Sequence, residues 1–180
     1  MDFAETEDQK MIRSMVREFA ETVAGPTCDK RDKEQIAPIE EFKKFSELGF
    51  AGMTIPEEYG GQKLDDISEA IVVEELSRVD ASLGVMVAVH VGLCSMTIAL
   101  SGNDEQKKKY LPKLASGEFL GAYSLSEAGS GTDAAAMVAK ATDSGEHFTL
   151  NGEKMWVTNG TTADLFVLFA KVADHPDYGK

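Results

Sequence analysis

The sequence has few of the residues that build disulfide frameworks and metal centres. Its 180 residues include two cysteines, Cys28 and Cys94, and three histidines, His90, His147 and His175. The cysteines form no C-x-x-C motif and the histidines show no metal-ligand spacing. We therefore expect neither a disulfide scaffold nor a metal site, and a reducing compartment is the simpler expectation.

Positive charge is also scarce. The chain has 18 Lys and Arg residues against 31 Asp and Glu residues, which gives a formal net charge of −13. This excess of negative charge disfavours binding to nucleic acid and to anionic membrane surfaces. With 43% hydrophobic and 27% charged residues, the composition is that of a globular protein with a buried core.

One stretch lacks charged residues altogether. Residues 83–100 contain no Asp, Glu, Lys or Arg over 18 positions, which is the short limit for a membrane-spanning helix. The stretch also contains two glycines, a histidine, a serine and a threonine. A central helix buried on all sides by other helices is therefore favoured over a membrane span.

The start of the chain shows no targeting segment. Residues 1–12 are acidic and polar, unlike a signal or transit peptide. The expected location is the bacterial cytoplasm, or alternatively the mitochondrial matrix for a mature chain.

Helical periodicity governs residues 1–117. The motif TEDQ at residues 6–9 is a capping box, and the helix that it begins is expected to end at Gly25 and Pro26. The expected starts of the later helices are the apolar stripe at residues 39–48, Asp65 or Asp66, Asp80 or Ser82, and Asn103 or Asp104. Pro112 is expected to kink or stop the last one. We predict an all-helical, bundle-like N-terminal domain over residues 1–117.

Alternating patterns and turn residues replace helical periodicity after Gly117. Strands are expected at residues 137–142, 147–150, 153–158 and 165–172, the last of them buried. Asn151-Gly152 is the strongest hairpin signal, and Asn159-Gly160 is a further turn signal. We predict that residues 118–180 are the start of a β domain, so the expected fold class is α+β.

Two stretches carry polar groups suited to a ligand. The stretch YSLSEAGSGTD, residues 123–133, interrupts a short apolar run with hydroxyls and glycines, whose backbone N–H groups can cradle phosphate or carbonyl oxygens. In the stretch GEKMWVTNG, residues 152–160, Trp156 and Thr158 lie two apart on an expected strand and point to the same side. Together they suit a flat aromatic ligand with a polar edge.

Three other interpretations of these stretches stay open from the residues alone. The Gly/Ser cluster could be a surface turn, and the tryptophan could be a core residue. Gly129, Gly131 and Ala134 also fit a G-x-G-x-x-A dinucleotide fingerprint, although the sequence that follows lacks the βαβ rhythm such a motif needs. No grouping of Ser, His and Asp indicates a nucleophile with its base.

Both stretches resemble the two flavin-site signatures of the acyl-CoA dehydrogenases. Further motifs of that family follow in the family's order: GFAGMTIPEEYGG at residues 49–61, EELSR at 74–78 and QKKKYLP at 106–112. The resemblance covers nearly all 180 residues and is closest in look to short-chain, butyryl-CoA-type members. It implies an all-α N-terminal domain followed by an incomplete antiparallel β-barrel-like domain, with the family's C-terminal helical bundle absent.

The resemblance also implies FAD as the cofactor, with contacts from Tyr123, Leu125, Ser126, Gly131, Thr132, Trp156, Val157 and Thr158. Leu125 would supply backbone contacts, and Ser126 a hydroxyl at the pyrimidine edge of the flavin. Trp156 would pack against the ring system, and the Thr158 hydroxyl would reach the N5 region. Thr132 would also contact the acyl-CoA thioester or its phosphopantetheine arm.

The implied activity is α,β-dehydrogenation of an acyl-CoA thioester. A glutamate removes the α-proton while the β-hydrogen leaves as hydride to flavin N5. Both positions at which family members carry this glutamate lie beyond Lys180, so we assign no catalytic residue and expect the 180-residue chain alone to be inactive. Other chemistry on the same fold (acyl-CoA oxidase, nitroalkane oxidase or monooxygenase) and an inert binding module stay open.

The implied partners are an acyl-CoA substrate and an electron-transferring flavoprotein as electron acceptor. The full-length form is expected to be a homo-oligomer, a homotetramer in the family. An open sheet edge and an uncovered apolar face predict self-association of the 180-residue chain.

Overall fold

The computed structural model describes residues 4–172. Its helical part comprises α1 (Glu7–Phe19), α2 (Gly25–Glu34), α3 (Ile39–Glu47), α4 (Asp66–Val79), α5 (Ala81–Ala88), α6 (Met96–Ser101) and α7 (Asp104–Ala115). Two π-helical segments, Ala20–Ala24 and Val89–Ser95, join α1 to α2 and α5 to α6. A small β region follows, so the predicted α+β fold is confirmed.

Side-chain caps begin four of these helices as the sequence predicted. Thr6 and Asn103 begin α1 and α7 with complete capping boxes. Asp65 and Asp80 accept backbone N–H groups in the first turns of α4 and α5, at 2.9 and 3.1 Å. Each such cap contributes about 1 kcal/mol, because it pairs a backbone donor that the helix cannot satisfy.

The helix end expected at Gly25 and Pro26 is wrong, and Pro112, expected to kink or stop the last helix, does not stop it. Gly25 and Pro26 do not stop the first helix, because the π-helical segment shifts the hydrogen-bond register and Pro26 falls in the first turn of α2, where no N–H is required. Pro112 lies inside α7, which continues beyond it. The missing hydrogen bond there is offset by the complete burial of Leu111 and Leu114.

The uncharged stretch forms one continuous helical run, Ala81–Ser101. Its 21 residues, with a mean hydropathy of 2.1, could cross a membrane by length and composition alone. Half of its most apolar 18-residue window is buried inside the described fold. The prediction of burial on all sides is wrong, because Val85, Leu93 and Leu100 are exposed.

Two apolar clusters form the core. The larger one lies between α1, α3, α4 and α5 and includes Val16, Phe45, Leu76 and Leu83. The smaller one contains Ile55, Cys94, Leu111 and Leu114, and the partly buried Leu165 and Val167 pack against it. Because these last two residues belong to a strand, the smaller cluster attaches the β region to the helices.

The β region contains two strand pairs. β1 (Gly121–Ser124) pairs in parallel with β4 (Leu165–Leu168), whereas β2 (Lys140–Asp143) and β3 (Phe148–Asn151) form an antiparallel hairpin. The described residues form no closed barrel. The antiparallel order expected for this domain is wrong for β1 and β4, because the chain between them makes a long crossover that includes the hairpin.

Local contacts explain where two strand predictions fail. The strand expected at residues 137–142 begins only at Lys140, because the Glu127 carboxylate accepts the N–H groups of Val138 and Ala139, at 2.6 and 3.0 Å. The strand expected at residues 165–172 ends at Leu168, and it is half exposed rather than buried, because Phe166 and Leu168 are exposed.

The hairpin expected at Asn151-Gly152 is also wrong. Gly152 has a φ of 147°, and its backbone passes close to Ala139. A Cβ added to Gly152 would lie 2.7 Å from the Cα of Ala139. The chain leaves the sheet at this point, and residues 153–158 form no strand. The turn predicted at Asn159-Gly160 is confirmed, since Gly160 donates its N–H to the carbonyl of Val157 at 2.9 Å.

Candidate functional site

The two polar stretches meet at one cavity beside the uncharged helix. The cavity has a volume of about 180 Å³. Five residues predicted for the site line it, namely Tyr123, Leu125, Ser126, Trp156 and Thr158. Val89 and Leu93 of the second π-helical segment and Met155 complete the lining. The cavity therefore has an apolar helical wall opposite a wall of polar loop residues.

Three other predicted site residues lie elsewhere. Gly131 and Thr132 are exposed in the loop that follows Ser130, outside the cavity lining. Val157 is partly buried beside the turn at Asn159-Gly160. A Cβ added to Gly160 would lie 3.2 Å from the Cβ of Val157. Their predicted contacts with cofactor or substrate stay predictions.

The polar wall contains donors without protein acceptors. Among residues 4–172, the backbone N–H groups of Leu125, Ser126, Trp156 and Thr158 donate no hydrogen bond. The hydroxyls of Ser126 and Thr158 likewise have no partner among these residues. A planar heterocycle with carbonyl and ring-nitrogen acceptors along one edge fits such a donor set.

Trp156 is the most exposed large apolar side chain of the site. Its side chain is 87% exposed and its φ is 58°, in the left-handed region. Trp156 is therefore neither a core residue nor part of a strand. It still lines the same cavity as Thr158, although the two residues were expected to share a side because of strand alternation. An indole in such a position gives a flat ligand a large apolar surface.

The Gly/Ser cluster is a tight turn rather than a dinucleotide fingerprint. Glu127 and Ser130 exchange two backbone hydrogen bonds, at 2.9 and 3.1 Å, and Ala128 and Gly129 are exposed between them. A short 3₁₀ turn and then β2 follow, so the amphipathic helix that a dinucleotide fingerprint requires is absent from this part of the described chain.

Glu127 and Lys154 form a buried ion pair beneath the cavity wall. Their charged atoms are 2.8 Å apart, and the side chains are only 4% and 8% exposed. The ammonium of Lys154 and the backbone N–H groups of Val138 and Ala139 lower the pKa of Glu127 to about 2. Sequence reasoning missed both residues, which lie 27 positions apart in the chain.

Asn159 joins the tryptophan segment to two other elements. Its side-chain amide donates to the carbonyl of Met86 in α5 at 3.2 Å and to the carbonyl of Gly121 in β1 at 2.9 Å. Sequence reasoning assigned Asn159 only to a turn, which it also makes with a φ of 65°. This double contact connects the segment that follows Trp156 to α5 and β1.

Comparison with protein families matches both parts of the chain. Residues 6–118 match the acyl-CoA dehydrogenase N-terminal domain, and residues 122–180 match the acyl-CoA dehydrogenase middle domain. The chain belongs to the acyl-CoA dehydrogenase family. The two matched ranges meet close to the boundary predicted near Gly117, and the exact domain limits stay a prediction.

Individual members of the acyl-CoA dehydrogenase family are similar over nearly the whole chain. A short-chain-specific acyl-CoA dehydrogenase of Clostridium acetobutylicum is 44% identical over 170 residues, which are 94% of this chain and 45% of that protein. The chain thus spans about half the length of the curated relatives it matches. The expected likeness to short-chain members is confirmed.

Solved structures agree with this assignment. A chain from a study of the electron transferring flavoprotein of Acidaminococcus fermentans superimposes with a TM-score of 0.92 at 45% identity, over 96% of this chain and 46% of that one. An acyl-CoA dehydrogenase of Bacillus anthracis, solved in complex with FAD, gives a TM-score of 0.88 at 40% identity, over 93% of this chain and 29% of that one.

Proposed function

We propose that this chain forms the flavin-binding part of an acyl-CoA dehydrogenase that oxidises an acyl-CoA thioester between its α and β carbons. The observation that carries the proposal is the cavity between the two signature stretches, where unpaired N–H and hydroxyl donors lie beside the exposed indole of Trp156. FAD, when bound there, would supply the hydride acceptor.

The residues of the cavity have separate roles in this proposal. The backbone N–H groups of Leu125 and Ser126 and the Ser126 hydroxyl bind the polar edge of the cofactor. The indole of Trp156 packs against the ring system and excludes water from it. The Thr158 hydroxyl donates to the reactive side of the ring. Tyr123 contributes to the wall from β1.

Three further predicted contacts belong to the loop around the cavity. Gly131 lets the backbone approach the cofactor closely, and Val157 contacts the cofactor beside Trp156. Thr132 contacts the thioester or the phosphopantetheine arm of the substrate. Because Gly131 and Thr132 are exposed, they are available to a ligand that extends out of the cavity.

Proton abstraction needs a carboxylate that the cavity wall does not supply. No Asp, Glu or His occurs among the residues that line the cavity. We infer that the base comes from polypeptide outside these residues and that the 180-residue chain binds flavin without turning over substrate. A polarised thioester carbonyl would make the α-proton acidic enough for such a carboxylate.

The wider assignments are part of the same proposal. The electron acceptor is an electron-transferring flavoprotein. In support, one of the similar solved chains comes from a study of such a flavoprotein. The full-length enzyme is a homo-oligomer, and the family resemblance implies a homotetramer. It acts in the bacterial cytoplasm or, as a mature chain, in the mitochondrial matrix.

A flavin titration tests the proposal. The purified chain is titrated with FAD and desalted, and retained flavin is measured by absorbance and fluorescence. We expect retention by the wild type, a large loss in Trp156→Ala, and no loss in Phe148→Ala, which removes an exposed aromatic ring outside the cavity. Absence of retained flavin in the wild type, or equal retention in Trp156→Ala, would contradict the proposed site.

A further inference from the structure

The two stretches that build the cavity lack the hydrogen-bond ladder of a sheet. Residues 125–127 follow the end of β1, and residues 153–158 follow the end of β3, and neither segment is helix or strand. One backbone hydrogen bond joins them, from the N–H of Met155 to the carbonyl of Ser126 at 2.9 Å. Some other contact must therefore set the distance between the donors of Ser126 and the indole of Trp156.

The side chains of Glu127 and Lys154 provide that contact. The Lys154 ammonium donates to the Glu127 carboxylate at 2.8 Å and to the carbonyl of Leu125 at 2.9 Å. The same carboxylate accepts the N–H groups of Val138 and Ala139, which lead into β2. Two side chains thus connect three segments that are distant in sequence, and we name this group the Glu127–Lys154 clasp.

The clasp is nearly saturated with hydrogen bonds. The carboxylate accepts three of them and the ammonium donates two, while both side chains are almost completely buried. A buried ion pair with such pairing is costly to break from one side, because the remaining charge is left without a partner. An apolar pair could stabilise the fold equally well, so the specific geometry of the clasp points to a positioning role.

The clasp also acts on the donors of the cavity. Lys154 places a positive charge on the carbonyl oxygen of Leu125, which polarises the peptide group whose other end is the Ser126 N–H. That N–H has no acceptor among the described residues. A polarised, unpaired donor binds an acceptor on a ligand more strongly than an ordinary amide does.

We propose that Glu127 and Lys154 are positioning residues for the flavin, which set the spacing and the donor strength of the cavity wall without touching the cofactor. The inference rests on the proposed function. The clasp couples flavin binding to the order of the segment at Val138 and Ala139, because one carboxylate serves both. Loss of either charge should therefore weaken flavin binding and also reduce the order of the segment at Val138 and Ala139.

The test compares Lys154→Met, Glu127→Gln, the double variant and Lys154→Arg in the 180-residue chain. Lys113→Met is the matched control, since Lys113 forms an exposed ion pair with Glu118 at 3.0 Å. FAD affinity is measured by fluorescence quenching, and amide exchange at Val138 and Ala139 is measured without FAD. All variants are compared at equal helical content, determined by circular dichroism.

We expect Lys154→Met to weaken FAD binding by about tenfold or more and to lose exchange protection at Val138 and Ala139. The double variant should be no worse than either single variant, and Lys154→Arg should recover part of the affinity. Flavin affinity within about twofold of the wild type in Lys154→Met, with both amides still protected, would overturn the inference while leaving the proposed function intact.

Failure of the proposed function gives a different result. If the wild type itself binds no FAD, the proposed function is wrong and the positioning role is overturned with it. If the wild type binds FAD and every variant with a lost charge binds it equally, only the clasp inference fails. If Lys154→Met does not fold, Glu127→Gln decides, because it removes the other charge of the clasp: weaker FAD binding with lost protection at both amides supports the inference, and unchanged binding with both amides protected overturns it.

Discussion

His90 accepts the backbone N–H of Gly121 through its Nδ1 atom at 3.0 Å, completely buried between the helices and the β region. Its Nε2 atom lies 3.2 Å from the carbonyl oxygen of Leu114. An acceptor at Nδ1 requires the proton on Nε2, so the ring is the neutral Nε2–H tautomer and donates to that carbonyl. One imidazole therefore connects the second π-helical segment, α7 and β1.

Acid should weaken the fold through His90. Burial lowers the pKa of His90 from 6.5 to about 4. Between these values the unfolded chain binds more protons than the folded chain, so this contribution to stability is complete above pH 6.5 and is lost as the pH falls toward 4. A shift of this size corresponds to roughly 3 kcal/mol. Urea unfolding at a series of pH values measures it.

Two histidine variants separate this effect from the titration of carboxylates. His90→Asn should lower stability at neutral pH and flatten the pH dependence below pH 6.5, because the titrating ring is gone. His147→Asn changes an exposed residue and should leave the dependence as in the wild type. If the unfolding free energy changed equally steeply with pH in His90→Asn and in the wild type, another group would cause the acid sensitivity.

Glu75 should matter far more than its neighbour Glu74. Both carboxylates contact Arg13, at 2.6 and 2.7 Å, but the side chain of Glu75 is 2% exposed and that of Glu74 is 65% exposed. Hydrogen bonds from Arg17 and Arg13 lower the pKa of Glu75 to about 2. We expect Glu75→Gln to lower the unfolding free energy by about 2 kcal/mol at neutral pH, and Glu74→Gln by less than about 1 kcal/mol.

Denaturant titration of both variants checks this difference. The effect of Glu75→Gln should be complete above pH 4.5 and shrink as the pH falls from there toward 2, because in this range the unfolded chain binds a proton at Glu75 that the folded chain does not. Added salt should reduce the small effect of Glu74→Gln and change that of Glu75→Gln little, since a buried pair is weakly screened. Similar losses in the two variants would refute the dominance of the buried carboxylate.

Predictions from sequence succeeded where a residue and its partner are close in the chain. Thr6 and Gln9, like Asn103 and Gln106, lie three positions apart, and each pair forms the expected capping box. Five of the eight residues predicted for the site line one cavity, and their contacts with a cofactor stay a prediction. Local chemistry decides such features before tertiary contacts form.

Prediction failed where a distant contact overrode the local pattern. The alternation around Trp156 suggested a strand, but the ion pair between Lys154 and Glu127 draws this segment to the loop instead. The same carboxylate removes Val138 and Ala139 from the expected strand. No spacing rule relates residues so far apart, so a single sequence could not reveal them.

The fluorescence of Trp156 should report directly on the site. It is the chain's one tryptophan, and its side chain is 87% exposed. We expect emission typical of an indole in water, strong quenching by iodide, and loss of that iodide sensitivity when FAD is added. A blue-shifted emission that iodide does not quench would mean that the indole is buried in solution.

The outer edge of β4 should drive self-association. The N–H groups of Leu165, Phe169 and Lys171 bond to β1 and to the segment before β2, so the N–H groups of the even-numbered residues point to the opposite edge. No described strand pairs there, and Phe166 and Leu168 expose apolar side chains along it. Such an edge is a template for another strand.

Charge placed on this edge should therefore keep the chain monomeric. In sedimentation velocity at increasing concentration, we expect the wild type to associate and Leu168→Lys to remain mostly monomeric, because a charged side chain on an edge strand opposes pairing with a second strand. Leu100→Lys is the matched control, since Leu100 is an even more exposed leucine that belongs to helix α6 rather than to a strand. If Leu100→Lys suppressed association as well as Leu168→Lys, general hydrophobicity rather than the strand edge would be the cause.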